Sequence, residues 1–236
     1  MKNKNQIHPS AIVHESAIIG ENNYIGPYCL IGPNVTIGSG NRFEAYVSIG
    51  TPGEHRDYFR AEPGMVSIGD NNIVREFVTI NGGTTTATTL GSDIVILRGS
   101  HVGHDAEICS KTTMSCNVLI GGHSIISMGA NLGLGAVVHQ HRVIGAFSMV
   151  GMNSAVTKNV PPFVIAFGSP CNPQKINRVG LLRNGIQEDD LVYFERWYFK
   201  LQGLYDNLIP LEHSYTTHIE EYEKKKNHLL EILRHS

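Results

Sequence analysis

The sequence predicts a mainly β chain, a parallel β-helix followed by a small α-helical domain, and three observations carry that prediction. The first is an apolar residue every six positions: Ile7, Val13, Ile19, Ile25, Ile31, Ile37, Phe43 and Ile49, then Ile68, Val74 and Ile80, then Leu90 through Val156. A helix repeats at about 3.6 residues and a strand at about two, so neither accounts for a beat of six. The second is the glycine that directly follows many of these anchors, as at Gly20, Gly26, Gly32, Gly38, Gly50 and Gly121, where the backbone can bend without a side-chain penalty. The third is a small residue four positions beyond the anchor, as at Ala11, Cys29, Ser100, Ala106, Ser124 and Ala136, which suits a crowded inner corner. Three such units make an eighteen-residue triangular coil, and coils stack at roughly 4.8 Å through backbone hydrogen bonds.

Residues 1–160 are assigned to this solenoid and 161–236 to a connector and α-helical domain. Two excursions interrupt the beat. The first, near 51–65, is charged and aromatic, with His55, Arg56, Asp57, Tyr58, Phe59, Arg60 and Glu62; the second, near 81–89, is rich in glycine and threonine. Each reads either as a wall of a binding site or as a solvated bulge. The beat stops at Pro161-Pro162, and 162–173 reads as a structured connector. Gln187 to Leu204 and His218 to Arg234 combine strong helix formers with mixed apolar and charged residues and are predicted as helices. Such helices could cap the last coil, whose edges would otherwise be unpaired, or wall a site on a neighbouring copy.

Composition narrows the function classes. Nineteen basic residues against twenty-one acidic ones leave a formal charge of −2, which argues against a nucleic-acid partner. The opening MKNKNQIHPS has no apolar run of the signal-peptide kind, and no stretch reaches the roughly 18 apolar residues of a membrane span, so stable membrane insertion is not expected. Cys29, Cys109, Cys116 and Cys171 form no CxxC pair and read as reduced packing residues of a cytoplasmic protein.

Histidines gather where the beat is most regular: His101, His104, His123, His139 and His141, with Asp105 and Gln140 among them. Asp105, His123 and His141 are spaced by eighteen and should stack as a column on one vertex of successive coils. His104 lies two residues past the anchor Val102, on the outward side. An exposed imidazole beside a carboxylate can accept a proton near neutral pH, with the carboxylate fixing its tautomer.

The six-residue beat resembles the hexapeptide repeat of left-handed parallel β-helices, and the handedness is implied by that resemblance. More specifically, Ser100-His101-Val102-Gly103-His104-Asp105, with Gly121-Gly122-His123 and Val138-His139-Gln140, resembles the active-site region of the acyl-carrier-protein-dependent UDP-N-acetylglucosamine O-acyltransferases of lipid A biosynthesis. The similarity extends through Arg75-Glu76-Phe77-Val78-Thr79-Ile80, the double proline and Gly180-Leu181-Leu182-Arg183, and so covers most of the chain.

The resemblance implies transfer of a fatty acyl group, 3-hydroxyacyl in kind, from acyl carrier protein to the sugar 3-hydroxyl, with His104 as general base and Asp105 orienting it. The backbone N–H of Gly122 would meet the oxyanion. His101, His123, His139 and Gln140 would hold the nucleotide sugar and thioester, Asn177 and Arg183 the nucleotide, and Arg60 would stand in for a substrate-loop lysine. Met152 would end an apolar slot that measures the acyl chain. A homotrimer with clefts between subunits is implied, with the carrier thioester as donor substrate and neither cofactor nor metal. Departures from the family pattern, at Asn81-Gly82-Gly83-Thr84 and at Val179, keep open a different nucleotide sugar or a coenzyme A donor. A noncatalytic trimeric sugar-binding scaffold is the alternative of another class, and the histidine spacings lack a complete γ-class carbonic anhydrase metal motif.

Overall fold

The computed structural model describes residues 4–201 and 213–235. From Gln6 to Val156 the chain winds through strands of two to four residues as a left-handed parallel β-helix. Its three walls are sheets of ten, eight and seven strands among the described residues, the first of which continues beyond Val156. Each strand pairs with the equivalent strand of the next coil, as Ile7 with Ile25 and Ile120 with Val138. The anchors therefore stack inside the prism, where Ile25, Ile31, Phe43, Ile80, Val102 and Ile120 are fully buried.

The anchors keep this register across the two excursions, with a one-residue shift only between Ile80 and Asn81, where both excursions leave the sheet. Ile37 pairs with Ile68 across the first, and Ile68 pairs with Leu90 and Leu90 with Ile108 around the second. The first runs between the strands Ser48–Thr51 and Val66–Ile68, the second between Thr79–Asn81 and Thr88–Leu90. The second is shorter than the sequence implies, because Asn81, Thr88 and Thr89 pair within the sheets.

A triangular coil must turn sharply at its corners, and many corner residues adopt the left-handed conformation. Asn, Asp and His tolerate it best among non-glycine residues, and they supply Asn22, Asn34, Asn71, Asp105, Asn117, His123 and His141, with φ between 57° and 61°. Tyr28, Tyr46 and Phe77 bear the same strain on successive coils of one corner, where their rings stack at 5.1 and 5.0 Å. Buried asparagines form a ladder within the prism. The Asn23 side-chain oxygen accepts from the Asn41 backbone N–H at 2.8 Å, that of Asn41 from Asn72 at 2.9 Å, and that of Asn72 from Ile94 at 2.8 Å.

The connector expected at 162–173 contributes strand structure. Val164–Phe167 pairs parallel with Met149–Val150 and antiparallel with Asn172–Ile176, which covers the end of one wall. Helix α1 (Arg178–Arg183), which the sequence reading did not anticipate, follows directly. Helix α2 (Leu191–Leu201) begins later than the expected Gln187, because Gln187 is extended and a 3-10 turn occupies Glu188–Asp190; residues 202–204 of that expectation lie outside the described residues. Helix α3 (His213–His235) starts earlier than the expected His218, since Ser214, Thr216 and Thr217 are weak helix formers that hide the start. Phe163 packs edge-on against Phe194 and Trp197 of α2 at 4.9 and 5.6 Å, so α2 covers the last coil. Helix α3 docks lower on the prism, with Tyr222 against Ile125 and Val143 and Lys225 Nζ 2.7 Å from Glu107 Oε1.

The asparagine ladder gives a direct stability test. Asn41→Ala leaves the Asn72 N–H without its acceptor inside the prism, a loss of about 2–3 kcal/mol for buried groups left unpaired. The urea midpoint should fall with an unchanged m-value. An unshifted midpoint would mean that the ladder contributes nothing.

Candidate active site

The site grows from one coil and the two loops beside it. Val102 points into the prism and turns its strand partner His101 outward. The chain then reaches a corner at Gly103, where a β-carbon would lie 2.8 Å from the Gly122 nitrogen of the next coil, and Asp105 takes a left-handed φ of 59°. That turn sets His104 Nδ1 2.7 Å from Asp105 Oδ2. The ring lies over Gly122, where an added β-carbon would come within 2.7 to 3.1 Å of three of its atoms. The absent side chain at Gly122 is therefore the space that the imidazole occupies.

The Asp105 side chain has no exposed surface. The second loop wraps it. Thr84, Thr85 and Thr86 each donate a backbone N–H to the carboxylate, at 2.6 to 3.1 Å, and each adds its hydroxyl, Thr84 Oγ1 being closest at 2.6 Å from Oδ2. Thr88 Oγ1 accepts the Asp105 N–H at 2.9 Å. Burial alone would raise the Asp105 pKa, but hydrogen bonds from His104 and from Thr84, Thr86 and Thr85 outweigh it and hold the carboxyl far below the usual carboxylate range. An ionised carboxylate only accepts, so the proton between the pair sits on His104 Nδ1 and the Nε2 lone pair is free.

His104 lines a cleft of about 690 Å³ together with His101, Gly122, His139 and Gln140, five of the residues singled out in the sequence, and with the apolar Leu119 and Val137. His101 Nδ1 is 2.8 Å from Thr79 Oγ1, and its Nε2 is 3.6 Å from Glu54 of the first loop. Burial lowers the His101 pKa against the raising influence of Glu54, which favours the neutral ring. His139 donates from Nδ1 to the Gln140 carbonyl at 3.1 Å, which leaves its own Nε2 free. The Gly122 N–H makes no hydrogen bond among the described residues and belongs to the cleft wall.

The expected column of Asp105, His123 and His141 is present. His123 Nε2 is 3.7 Å from Asp105 Oδ2, and the His123 ring stacks on His141 at 4.6 Å. His123 faces a second cavity of about 520 Å³ that also reaches Asp105, Thr85, Thr86 and His228 of α3. Burial keeps the His123 pKa low, although Asp105 pulls it upward. Donor atoms of His104, Asp105 and His123 lie within 4.8 Å of one another, which makes them a possible metal-ion grouping. Two of them face each other at 2.7 Å across a shared proton, closer than the roughly 3.3 Å that separates ligands about a tetrahedral zinc, so the trio is built as a hydrogen-bonded network.

Four expected site residues lie away from this cleft within one chain. Arg60 is exposed in the first loop and does not line the cleft. Asn177 and Arg183 share a separate cavity of about 450 Å³ with Lys111. The Asn177 amide is committed to the fold, accepting from Gly180 N at 3.1 Å and donating to Phe147 O at 2.8 Å. Met152 is 68% exposed, which removes the core-filling reading of that residue. Glu54, Thr85 and Thr86 carry no sequence signal of their own beyond the threonine run, and Thr79 and Thr84 stand in stretches singled out in the sequence with no role assigned; the partners of all five are nineteen or more residues away.

Comparison with known proteins points to one family. Residues 16–51 match the family description "Bacterial transferase hexapeptide (six repeats)", and residues 159–236 match "Udp N-acetylglucosamine O-acyltransferase; Domain 2". An acyl-[acyl-carrier-protein]–UDP-N-acetylglucosamine O-acyltransferase of Herminiimonas arsenicoxydans is 35% identical over 193 residues, 80% of this chain and 72% of that protein. The enzyme of the same name from Burkholderia mallei is 40% identical over 174 residues, which span 72% of this chain and 65% of the relative. The solved UDP-N-acetylglucosamine acyltransferase of Francisella novicida superposes with a TM-score of 0.76 at 32% identity, over 95% of this chain and 88% of that one. With a histidine-lined cleft on a six-residue-repeat prism, and with that extent of similarity, this chain belongs to the acyl-carrier-protein–UDP-N-acetylglucosamine O-acyltransferase family.

Proposed function

We propose that the chain transfers a 3-hydroxyacyl group from acyl carrier protein to the 3-hydroxyl of UDP-N-acetylglucosamine, a step of lipid A biosynthesis, with His104 as the general base. The observation that carries the assignment is the His104–Asp105 pair, whose Nε2 is free in the cleft beside the unpaired N–H of Gly122. Nε2 takes the proton from the sugar hydroxyl as its oxygen attacks the thioester carbonyl. The Gly122 N–H stabilises the tetrahedral oxyanion. When the intermediate collapses, the C–S bond breaks and the imidazolium returns the proton to the departing thiolate of the carrier. Asp105 remains ionised and holds the ring in one tautomer. The nucleophile arrives with the sugar, so the reaction needs neither a covalent acyl-enzyme nor a cofactor.

His101, His139 and Gln140 would bind substrate from the wall of the same cleft, and His123 would support Asp105 and the sugar from the corner. A homotrimer would bring Arg183 and Arg60, which lie apart from the histidines in one chain, to the cleft of a neighbouring prism, while Asn177 holds the turn before Arg183. Both substrates are soluble, and no helix among the described residues is long and apolar enough to cross a membrane, in keeping with a cytoplasmic reaction. Leu119 and Val137 continue from the cleft along the prism as exposed apolar residues, and Leu134 and Met152 lie exposed beside them on successive coils. Met152 is three coils beyond the corner that precedes His101, roughly 14 Å along the axis, where it would end an acyl slot.

The assignment is tested by offering long-chain acyl carrier protein and acetyl-coenzyme A with UDP-N-acetylglucosamine and related nucleotide sugars, and identifying products by mass. Carrier-dependent acylation is expected, and exclusive use of acetyl-coenzyme A would replace the donor. In the same assay His104→Ala should lower turnover by roughly 100-fold or more with an unchanged circular dichroism spectrum. Wild-type turnover in that variant would remove His104 from the base role, whereas no product from the wild-type chain with any donor would favour a noncatalytic scaffold.

Gly122→Ala places a methyl against the His104 ring and should cost roughly ten- to a hundredfold in kcat through misplacement of the base. Full activity would mean that the ring is not held there in the working enzyme. For Met152→Gly, competition among carrier-bound chains should shift towards longer donors, since each buried methylene contributes about 0.8 kcal/mol. An unaltered length profile would sink the ruler role.

A further inference from the structure

The glycine- and threonine-rich excursion is not a solvated bulge, because its hydrogen bonds converge on Asp105. The loop is tightly closed: a side chain at Gly83 would run into the Thr86 carbonyl, and one at Gly53 would meet the Thr84 methyl at 2.7 Å and His104 Cβ at 3.1 Å. Thr84 is therefore wedged between the first loop and the catalytic corner. Its partner atom distinguishes it from Thr85 and Thr86. Their hydroxyls donate to Oδ1, whereas the Thr84 hydroxyl donates at 2.6 Å to Oδ2, the oxygen that receives the His104 Nδ1 proton at 2.7 Å.

Two donors on one carboxylate oxygen compete for the same electron density. A hydrogen bond to the charged form of an acid lowers its affinity for protons, and the oxygen then attracts the neighbouring imidazolium less strongly. We propose that Thr84 is a positioning residue whose hydroxyl, acting through Asp105 Oδ2, holds the His104 ring in place and sets the pH at which it becomes a free base. The proposal rests on the general-base reading of His104.

The other charged or titratable groups around the pair are Glu54 of the first loop, His101 on the same coil, His123, His139 and His141 on the coils that follow, Glu107, which is paired with Lys225 of α3, and His228 of α3; Glu107 and His228 line the cavity behind Asp105. Replacement of Thr84 by valine alters none of them. It keeps the methyl against Gly53 and the three backbone N–H donors, so that one hydroxyl is the only polar group removed.

The experiment is the pH dependence of kcat/KM for the full chain with its acyl carrier and nucleotide-sugar substrates, in wild type, Thr84→Val and Thr84→Ser. With the Thr84 hydroxyl gone, Oδ2 holds the imidazolium more tightly, and the acid limb should move to higher pH by about half a unit to one unit. Activity near the foot of that limb would fall roughly three- to tenfold, while the alkaline plateau stays within about twofold. Thr84→Ser restores the donor and should restore the wild-type profile. Superimposable profiles in wild type and Thr84→Val would overturn the proposal, as would a loss uniform across pH, which a merely structural role produces. Should Thr84→Val fail to fold, Thr84→Ala removes the same hydroxyl with less bulk and is judged by the same shift. Full activity in His104→Ala would instead defeat the general-base reading; an inactive His104→Ala with an unmoved Thr84→Val profile defeats the Thr84 proposal alone.

Discussion

Everything in this chain depends on the register of the backbone hydrogen bonds that stack one coil on the next. Each strand donates to and accepts from the equivalent strand of its neighbour, and the pairing holds on both sides of each excursion. A one-residue slip would turn the buried anchors outward and bring polar residues into the prism. The stacking thus converts a linear repeat into columns, whose contents follow from residue identity at fixed intervals. The buried asparagine ladder, the Tyr28–Tyr46–Phe77 stack and the Asp105–His123–His141 corner are three outcomes of the same constraint.

The site draws on that rigidity. An ionised carboxylate buried without partners would be costly, and Asp105 is stable there only because a loop supplies three backbone N–H groups and three hydroxyls while His104 supplies its ring N–H. At the neighbouring rings burial is not outweighed by partners, and His101 and His123 are both driven towards the neutral form. One fixed negative charge among neutral imidazoles suits proton abstraction, because the charge is placed to stabilise the imidazolium only when it forms. The stacked coils provide the frame, and the irregular loops provide the donors that a bare prism lacks.

The helices serve the same frame from outside. Aromatic packing of Phe163 with Phe194 and Trp197 closes the end of the prism, where strand edges would otherwise invite pairing with other chains. Helix α3 reaches farther, to the coil that carries Glu107, and lays His228 beside the cavity behind Asp105. The C-terminal segment therefore contributes to the surroundings of the carboxylate as well as to the cap.

The six-residue beat was legible because its physical cause is local and repeated: each anchor must fill the same prism and each corner must turn the same way. It was enough to locate the strands, the excursions and the stacked column of Asp105, His123 and His141. The choice of His101, His104, Gly122, His139 and Gln140 rests on the family resemblance, from which the handedness also comes, and the register of the coils places them on one cleft. Helix boundaries were less legible at His213, where weak formers lead into the helix, and at Gln187, where an extended residue and a 3-10 turn precede α2. Only the tertiary structure could decide what the loop around Thr84 does, since its partner is distant in sequence and a run of threonines has no periodicity to betray a target. The same holds for Glu54 opposite His101 and for the commitment of Asn177 to the fold, because a loop's direction is set by the contacts it finds and not by the beat it interrupts.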